Sequence, residues 1–85
     1  MKEFNYTLTD PAGIHARPAA LLVKKVTPYA SEITLVKDGK TAVAKSMLSI
    51  MGLQAKNGET VTVQAEGADE ESVIVELEAF FKENL

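Results

Sequence analysis

Apolar residues in this chain recur at every second position in some stretches and at every third or fourth in others. The order in which those periods alternate leaves few folds open. From Glu3 to Leu8, the residues Phe4, Tyr6 and Leu8 alternate with Glu3, Asn5 and Thr7, the mark of a half-buried strand. Asp10-Pro11-Ala12-Gly13 follows as a turn-rich loop. Between Ala16 and Val26, the positions Ala19, Leu22, Val23 and Val26 form a helical stripe, with Lys24 and Lys25 outside it and Pro28 closing the helix. Glu32–Lys37 and Lys40–Ala44 are strand-like runs joined by Asp38-Gly39, a pair suited to the positive φ angles of a type I′ hairpin turn. A short helix over Ser46–Met51 is expected to end at Gly52. After the Asn57-Gly58 turn, Thr60–Glu66 sets Val61, Val63 and Ala65 on one face. Asp69-Glu70-Glu71 then opens a last helix, its acidic turn suited to the positive end of the helix dipole, with Val73, Leu77, Phe80 and Phe81 as its buried stripe. The order βαββαβα predicts an α+β open-faced sandwich: a four-stranded, mainly antiparallel sheet covered on one face by three helices.

At 85 residues the chain suits a single domain spanning 1–85, with a stability of roughly 4–10 kcal/mol. A domain of that size cannot enclose a deep pocket and keep a full core, which favours a function carried out on the surface. The absence of cysteine excludes disulfides and thiolate chemistry. No apolar run approaches membrane-spanning length and no signal-peptide core follows Met1, so a cytoplasmic location without membrane insertion is expected. The net charge of −3 speaks against nucleic acid as a partner. The two tyrosines and three phenylalanines, most at core-periodic positions, speak against an RNA-binding sheet. The charge is nevertheless uneven. Arg17, Lys24, Lys25, Lys37, Lys40 and Lys45 face only Glu32 and Asp38 between His15 and Lys45, so a basic patch near His15 is expected to meet an acidic partner.

The chemistry concentrates in Gly13-Ile14-His15-Ala16-Arg17-Pro18-Ala19-Ala20, around the one histidine in the chain. A lone histidine is most often a surface or capping residue without further duty. Its position here argues otherwise. Pro18 is tolerated in the first turn of a helix, which places His15 at or just before a helix N-terminus. There the N–H groups of Ala16 and Arg17 lack intrahelical partners and the dipole favours an attached phosphate over a protonated ring. A neutral imidazole is what a nitrogen nucleophile requires, and the Arg17 guanidinium offers a fork for phosphate oxygens. No second histidine, cysteine or clear acid–base partner lies nearby in sequence, so triads and zinc sites are not expected.

These residues resemble the active-site signature of the HPr phosphocarrier family of the bacterial sugar phosphotransferase system. The match extends over essentially the whole chain, through Ser31-Glu32-Ile33, Gly39-Lys40, Lys45-Ser46 and Ala65-Glu66-Gly67-Ala68-Asp69-Glu70. The resemblance implies that His15 accepts a phosphoryl group on Nδ1 from phosphorylated enzyme I and passes it to enzyme IIA domains of sugar transporters. Arg17 and the backbone of Ala16 and Arg17 would stabilise the phosphate. It further implies a monomer that needs no cofactor or metal of its own and acts as a stoichiometric carrier, not as an enzyme.

Ser46 reads first as an N-cap. By the resemblance it is also a regulatory site, phosphorylated in many members by an HPr kinase. Ala20, Lys24, Met47, Leu48 and Met51 would form the partner-binding face, the flexible methionines suiting several partners in turn. Ser49 stands where many relatives carry a basic residue. A carrier of the nitrogen-related phosphotransferase branch shares the His15 signature. A regulatory module that binds a transcription regulator through phosphorylated Ser46 is a third reading, but non-carrier relatives lose the histidine that this chain retains.

Overall fold

A computed structural model describes residues 1–85. Seven elements follow one another: β1 (Lys2–Thr7), α1 (Ala16–Val26), β2 (Glu32–Lys37), β3 (Lys40–Val43), α2 (Met47–Gly52), β4 (Thr60–Glu66) and α3 (Glu70–Asn84). The strands form one sheet in the order β1-β4-β2-β3, and every neighbouring pair is antiparallel. At the β2–β3 turn both Asp38 and Gly39 adopt positive φ (49° and 79°), the conformation the Asp-Gly pair was expected to supply.

Register makes the sheet two-faced. Phe4 pairs with Val63, Val63 with Leu35, and Leu35 with Ala42, so one apolar row crosses all four strands towards the helices. The helices return Leu22 and Val26 from α1, Ile50 from α2, and Val73, Leu77 and Phe81 from α3, all buried in one cluster. Phe81 sits at the centre of the α3 contact, with the rings of Phe4 and Tyr6 each 5.6 Å away and edge-on. The other face is polar and open. There the hydroxyls of Thr7 and Thr60 lie 2.9 Å apart, Thr62 Oγ1 donates to Asn5 Oδ1 at 2.6 Å, and Gln64 Nε2 donates to Glu3 Oε1 at 3.2 Å.

Two local details depart from the expected pattern. Gly52 is the last residue of α2, not its left-handed terminator. The turn beyond it is completed by Leu53 and Gln54, which donate to Ile50 and Met51, and Gln54 takes the left-handed conformation at φ 52°. Asp69 precedes α3 but does not cap it with its side chain. Its carboxylate instead accepts from the Ala30 and Ser31 N–H groups at 3.0 and 2.9 Å and from the Ser31 hydroxyl, fastening the α1–β2 loop to the start of α3. Gly67 leaves no space for a side chain in this fastening, since a Cβ there would lie 2.6 Å from Ser31 Cα.

Those hydrogen bonds, the Ser31 hydroxyl foremost and the Ala30 N–H next, hold the Asp69 carboxyl below its ordinary value. The stabilisation is therefore complete above the ordinary aspartate pKa and disappears as pH falls through the depressed folded one. Urea denaturation between pH 7 and pH 2 should show Asp69→Asn less stable than the parent at neutral pH, with the difference shrinking in acid. A difference that stays constant over that range would remove Asp69 as an acid-sensitive tie.

Candidate functional site

The loop that carries the histidine is drawn tight by its own backbone. Asp10 Oδ1 accepts from the Ala12 N–H at 2.8 Å and the Asp10 carbonyl accepts from Gly13 N–H at 2.9 Å, closing a turn over Asp10–Gly13. Gly13 then passes through φ 65° directly against the α2–β4 connection, where a Cβ would lie 2.3 Å from the Ala55 oxygen and 2.6 Å from Lys56 Cα. Ile14 is buried and donates its N–H to Ala55 O at 2.9 Å. His15 follows as the N-cap of α1, in extended backbone conformation, with its carbonyl accepting from Ala19 N–H at 3.0 Å.

A capping residue ordinarily turns its side chain back to accept from the first N–H groups of the helix. His15 does not: its side chain makes no capping bond, so the N–H groups of Ala16 and Arg17 keep their hydrogen-bonding capacity. The imidazole is 37% exposed, and Arg17 lies on the surface in the first turn of the helix. The two surface concavities of the molecule lie elsewhere, one along Gly67–Ser72 and one beside Ile33, Val43 and Lys45. The histidine thus lies outside both concavities with its ring partly open to solvent, where another macromolecule can reach it.

One neighbour was not legible as such in the sequence. Asp10 Oδ1 lies 3.7 Å from His15 Nε2, too long for a hydrogen bond but within Coulombic reach of a proton on that nitrogen. A carboxylate on the Nε2 side favours the tautomer that carries its proton there and leaves the Nδ1 lone pair free. The signal available was the turn-forming Asp10-Pro11-Ala12-Gly13, which folds a residue five positions upstream back onto the ring.

The matching family model is that of PTS-HPr, described as the PTS HPr component phosphorylation site, and it spans residues 2–83. The chain belongs to the HPr phosphocarrier family. It is 45% identical over 83 residues to the phosphocarrier protein HPr of Lysinibacillus sphaericus, covering 98% of this chain and 94% of that one. Among solved structures, an HPr of Thermoanaerobacter tengcongensis superposes with a TM-score of 0.93 at 39% identity, covering 99% and 94% of the two chains. The catabolite repression protein Crh of Bacillus subtilis, described as a domain-swapped dimer, does so at 0.79 and 36%, covering 94% and 92%. The open-sheet architecture expected from periodicity is therefore that of the HPr family.

The remaining predicted positions in this HPr-family chain fall into two groups. Ala20 and Lys24 are exposed one turn apart on α1, with Leu21 between them also 38% exposed. On α2, which packs against α1, Leu48 is 85% exposed and Met47 and Met51 lie partly open, while Ile50 alone turns fully into the core. Ser46 is the N-cap of α2, its Oγ accepting from Ser49 N–H at 3.2 Å. Ser49 has a structural task of its own: its Oγ accepts from Val43 N–H at 2.9 Å and ties α2 to the end of β3.

The basic patch is smaller than the sequence suggested. Lys37 is withdrawn into the protein, Lys25 pairs with Glu76 at 3.4 Å, and Lys45 Nζ donates to the Tyr29 carbonyl at 3.0 Å. Lys37 continues the inward-facing phase of Ile33 and Leu35 along β2, which is the pattern that could have revealed its burial.

Gly13→Ala should be among the more damaging single changes on this surface. The left-handed backbone alone costs about 1–2 kcal/mol for a residue with a Cβ, and the contact with Ala55 and Lys56 adds to it. Urea denaturation should show the loss, and equal stability of parent and variant would contradict the close approach.

Proposed function

We propose that His15 is the phosphorylated residue and that the protein relays phosphoryl groups between proteins of the phosphotransferase system. The observation that carries this reading is the cap that does not cap: an exposed imidazole at a helix start whose N–H groups remain available. In the forward step the Nδ1 lone pair attacks the phosphorus of phosphorylated enzyme I. The N–P bond to the donor histidine breaks as the bond to His15 forms, and the donor imidazole leaves with the electron pair. Asp10 supports the reactive tautomer. The phosphate oxygens meet the N–H groups of Ala16 and Arg17, the positive end of α1 and the Arg17 guanidinium. The reverse geometry hands the group to an enzyme IIA domain of a sugar transporter.

Such a relay is stoichiometric. The carrier is regenerated only when the group leaves, and it acts as a cytoplasmic monomer without cofactor or metal of its own. Docking falls to Ala20, Lys24, Met47, Leu48 and Met51, an exposed and largely apolar face on α1 and α2 suited to brief contacts. The aromatic rings give no support to a nucleic-acid reading, because Phe4, Tyr6, Tyr29 and Phe80 pack against the core. Phosphate on Ser46 is the regulatory event: at the start of α2 it sets negative charge within the docking face and opposes acidic partners.

Incubation with enzyme I, magnesium and phosphoenolpyruvate should add one phosphate, labile in acid and mapped to His15. His15→Ala should abolish the label while leaving circular dichroism unchanged. Arg17→Lys, which keeps the charge but loses the fork, should slow acceptance by roughly tenfold. An acid-labile label persisting in His15→Ala would falsify the assignment. Treatment with HPr kinase and ATP should modify Ser46, and modification confined to another residue would withdraw its regulatory role.

A further inference from the structure

Lys37 is the one charged residue buried in the fold, its side chain only 10% exposed. It occupies the inward-facing phase of β2, where Ile33 and Leu35 are apolar, yet it does not lie idle among apolar groups. Its Nζ donates to Gln54 O at 3.2 Å and to both oxygens of Glu59 at 3.2 and 3.3 Å. Glu59 Oε1 also accepts from Lys56 N–H at 2.8 Å. A single ammonium and a single carboxylate thereby organise the whole connection from Gln54 to Glu59, including the left-handed residue Gln54.

The same connection holds both ends of the histidine loop. Before the loop, Leu8 exchanges backbone bonds with it, Leu8 N–H to Glu59 O and Gly58 N–H to Leu8 O, each at 2.9 Å. After the turn, Gly13 rests against Ala55 and Lys56, and Ile14 N–H donates to Ala55 O at 2.9 Å. His15 is the next residue. We infer that Lys37 is a positioning residue for His15: paired with Glu59, it fixes the Gln54–Glu59 connection, and that connection sets the place of the imidazole at the start of α1. No contact between Lys37 and the histidine is needed, because the links are hydrogen bonds and one ion pair whose ammonium is buried and whose carboxylate lies at the surface. Removing the ammonium takes the side-chain donor from Gln54 O and leaves the Glu59 carboxylate with Lys56 N–H alone, so the connection loosens where Ile14 is attached.

The inference rests on the phosphocarrier reading only for its activity measurement. Lys37→Met keeps most of the side-chain volume and removes the charge. Amide hydrogen exchange should then lose at least about tenfold protection at Ile14 relative to the amides of the central strand β4, a local change that uniform destabilisation would not produce. Phosphoryl acceptance from enzyme I should fall by roughly tenfold, and Lys37→Arg should restore much of both. If Lys37→Met does not fold, Glu59→Gln is read in the same way, since its amide oxygen can still accept from Lys56 N–H. Ile14 protection that merely follows β4, or acceptance equal to that of the parent, overturns the inference. The exchange measurement needs no phosphoryl donor. A failure of the carrier reading would instead appear as the parent protein refusing the label.

Discussion

The backbone of Gly13 runs against that of Ala55 and Lys56 with no room for a β-carbon, and Ile14 fastens the approach through its bond to Ala55. Everything distinctive about the site is downstream of that contact. It determines where the chain turns into α1 and which residue becomes the cap. The His15 ring at that cap makes no bond back to the helix start and stays partly open to solvent. A short loop with few buried side chains would ordinarily sample many conformations. Here it is anchored on both sides by main-chain bonds to one neighbouring connection, which substitutes for the core that so small a surface feature cannot have.

The remainder of the fold separates stability from presentation. Phe81 and its aromatic neighbours, with Leu77 and Val73, consolidate α3 against β1 and β4. α1 and α2 share an exposed apolar margin made of Leu21, Met47, Leu48 and Met51. Polar side chains act as ties between segments: Asp69 to the α1–β2 loop, Ser49 to the end of β3, and Tyr29 to Glu76 with a 2.7 Å hydrogen bond. Burial and the Glu76 carboxylate both push the Tyr29 hydroxyl upward, so the tie keeps its proton throughout the neutral range.

Much of this was readable from residue order. Period-two alternation located the strands, the Asp38-Gly39 pair located their hairpin, and Pro18 located the start of α1 just after His15. What escaped were relations between distant segments. The approach of Asp10 to His15 depends on how a turn folds. The turn of Asp69 away from its own helix depends on Ser31, far along the chain. Composition registers a lysine without its partner, so Lys37 reads as a surface charge, although its phase along β2 points inward. Gly52 looked like a helix terminator by residue type, but the chain continued its turn and placed the left-handed conformation at Gln54.

The side-chain pairs on the open face of the sheet bear on how β1 stays in place at its edge. Thr7 with Thr60, Asn5 with Thr62 and Glu3 with Gln64 are partners only in the observed alignment. Sliding β1 by one residue along β4 would sever all three and turn Phe4 and Tyr6 out to water while driving Asn5 and Thr7 against Phe81. The polar surface, which buries almost nothing, therefore works as a ratchet tooth: it admits a single setting of an edge strand whose grip on the sheet is otherwise one-sided.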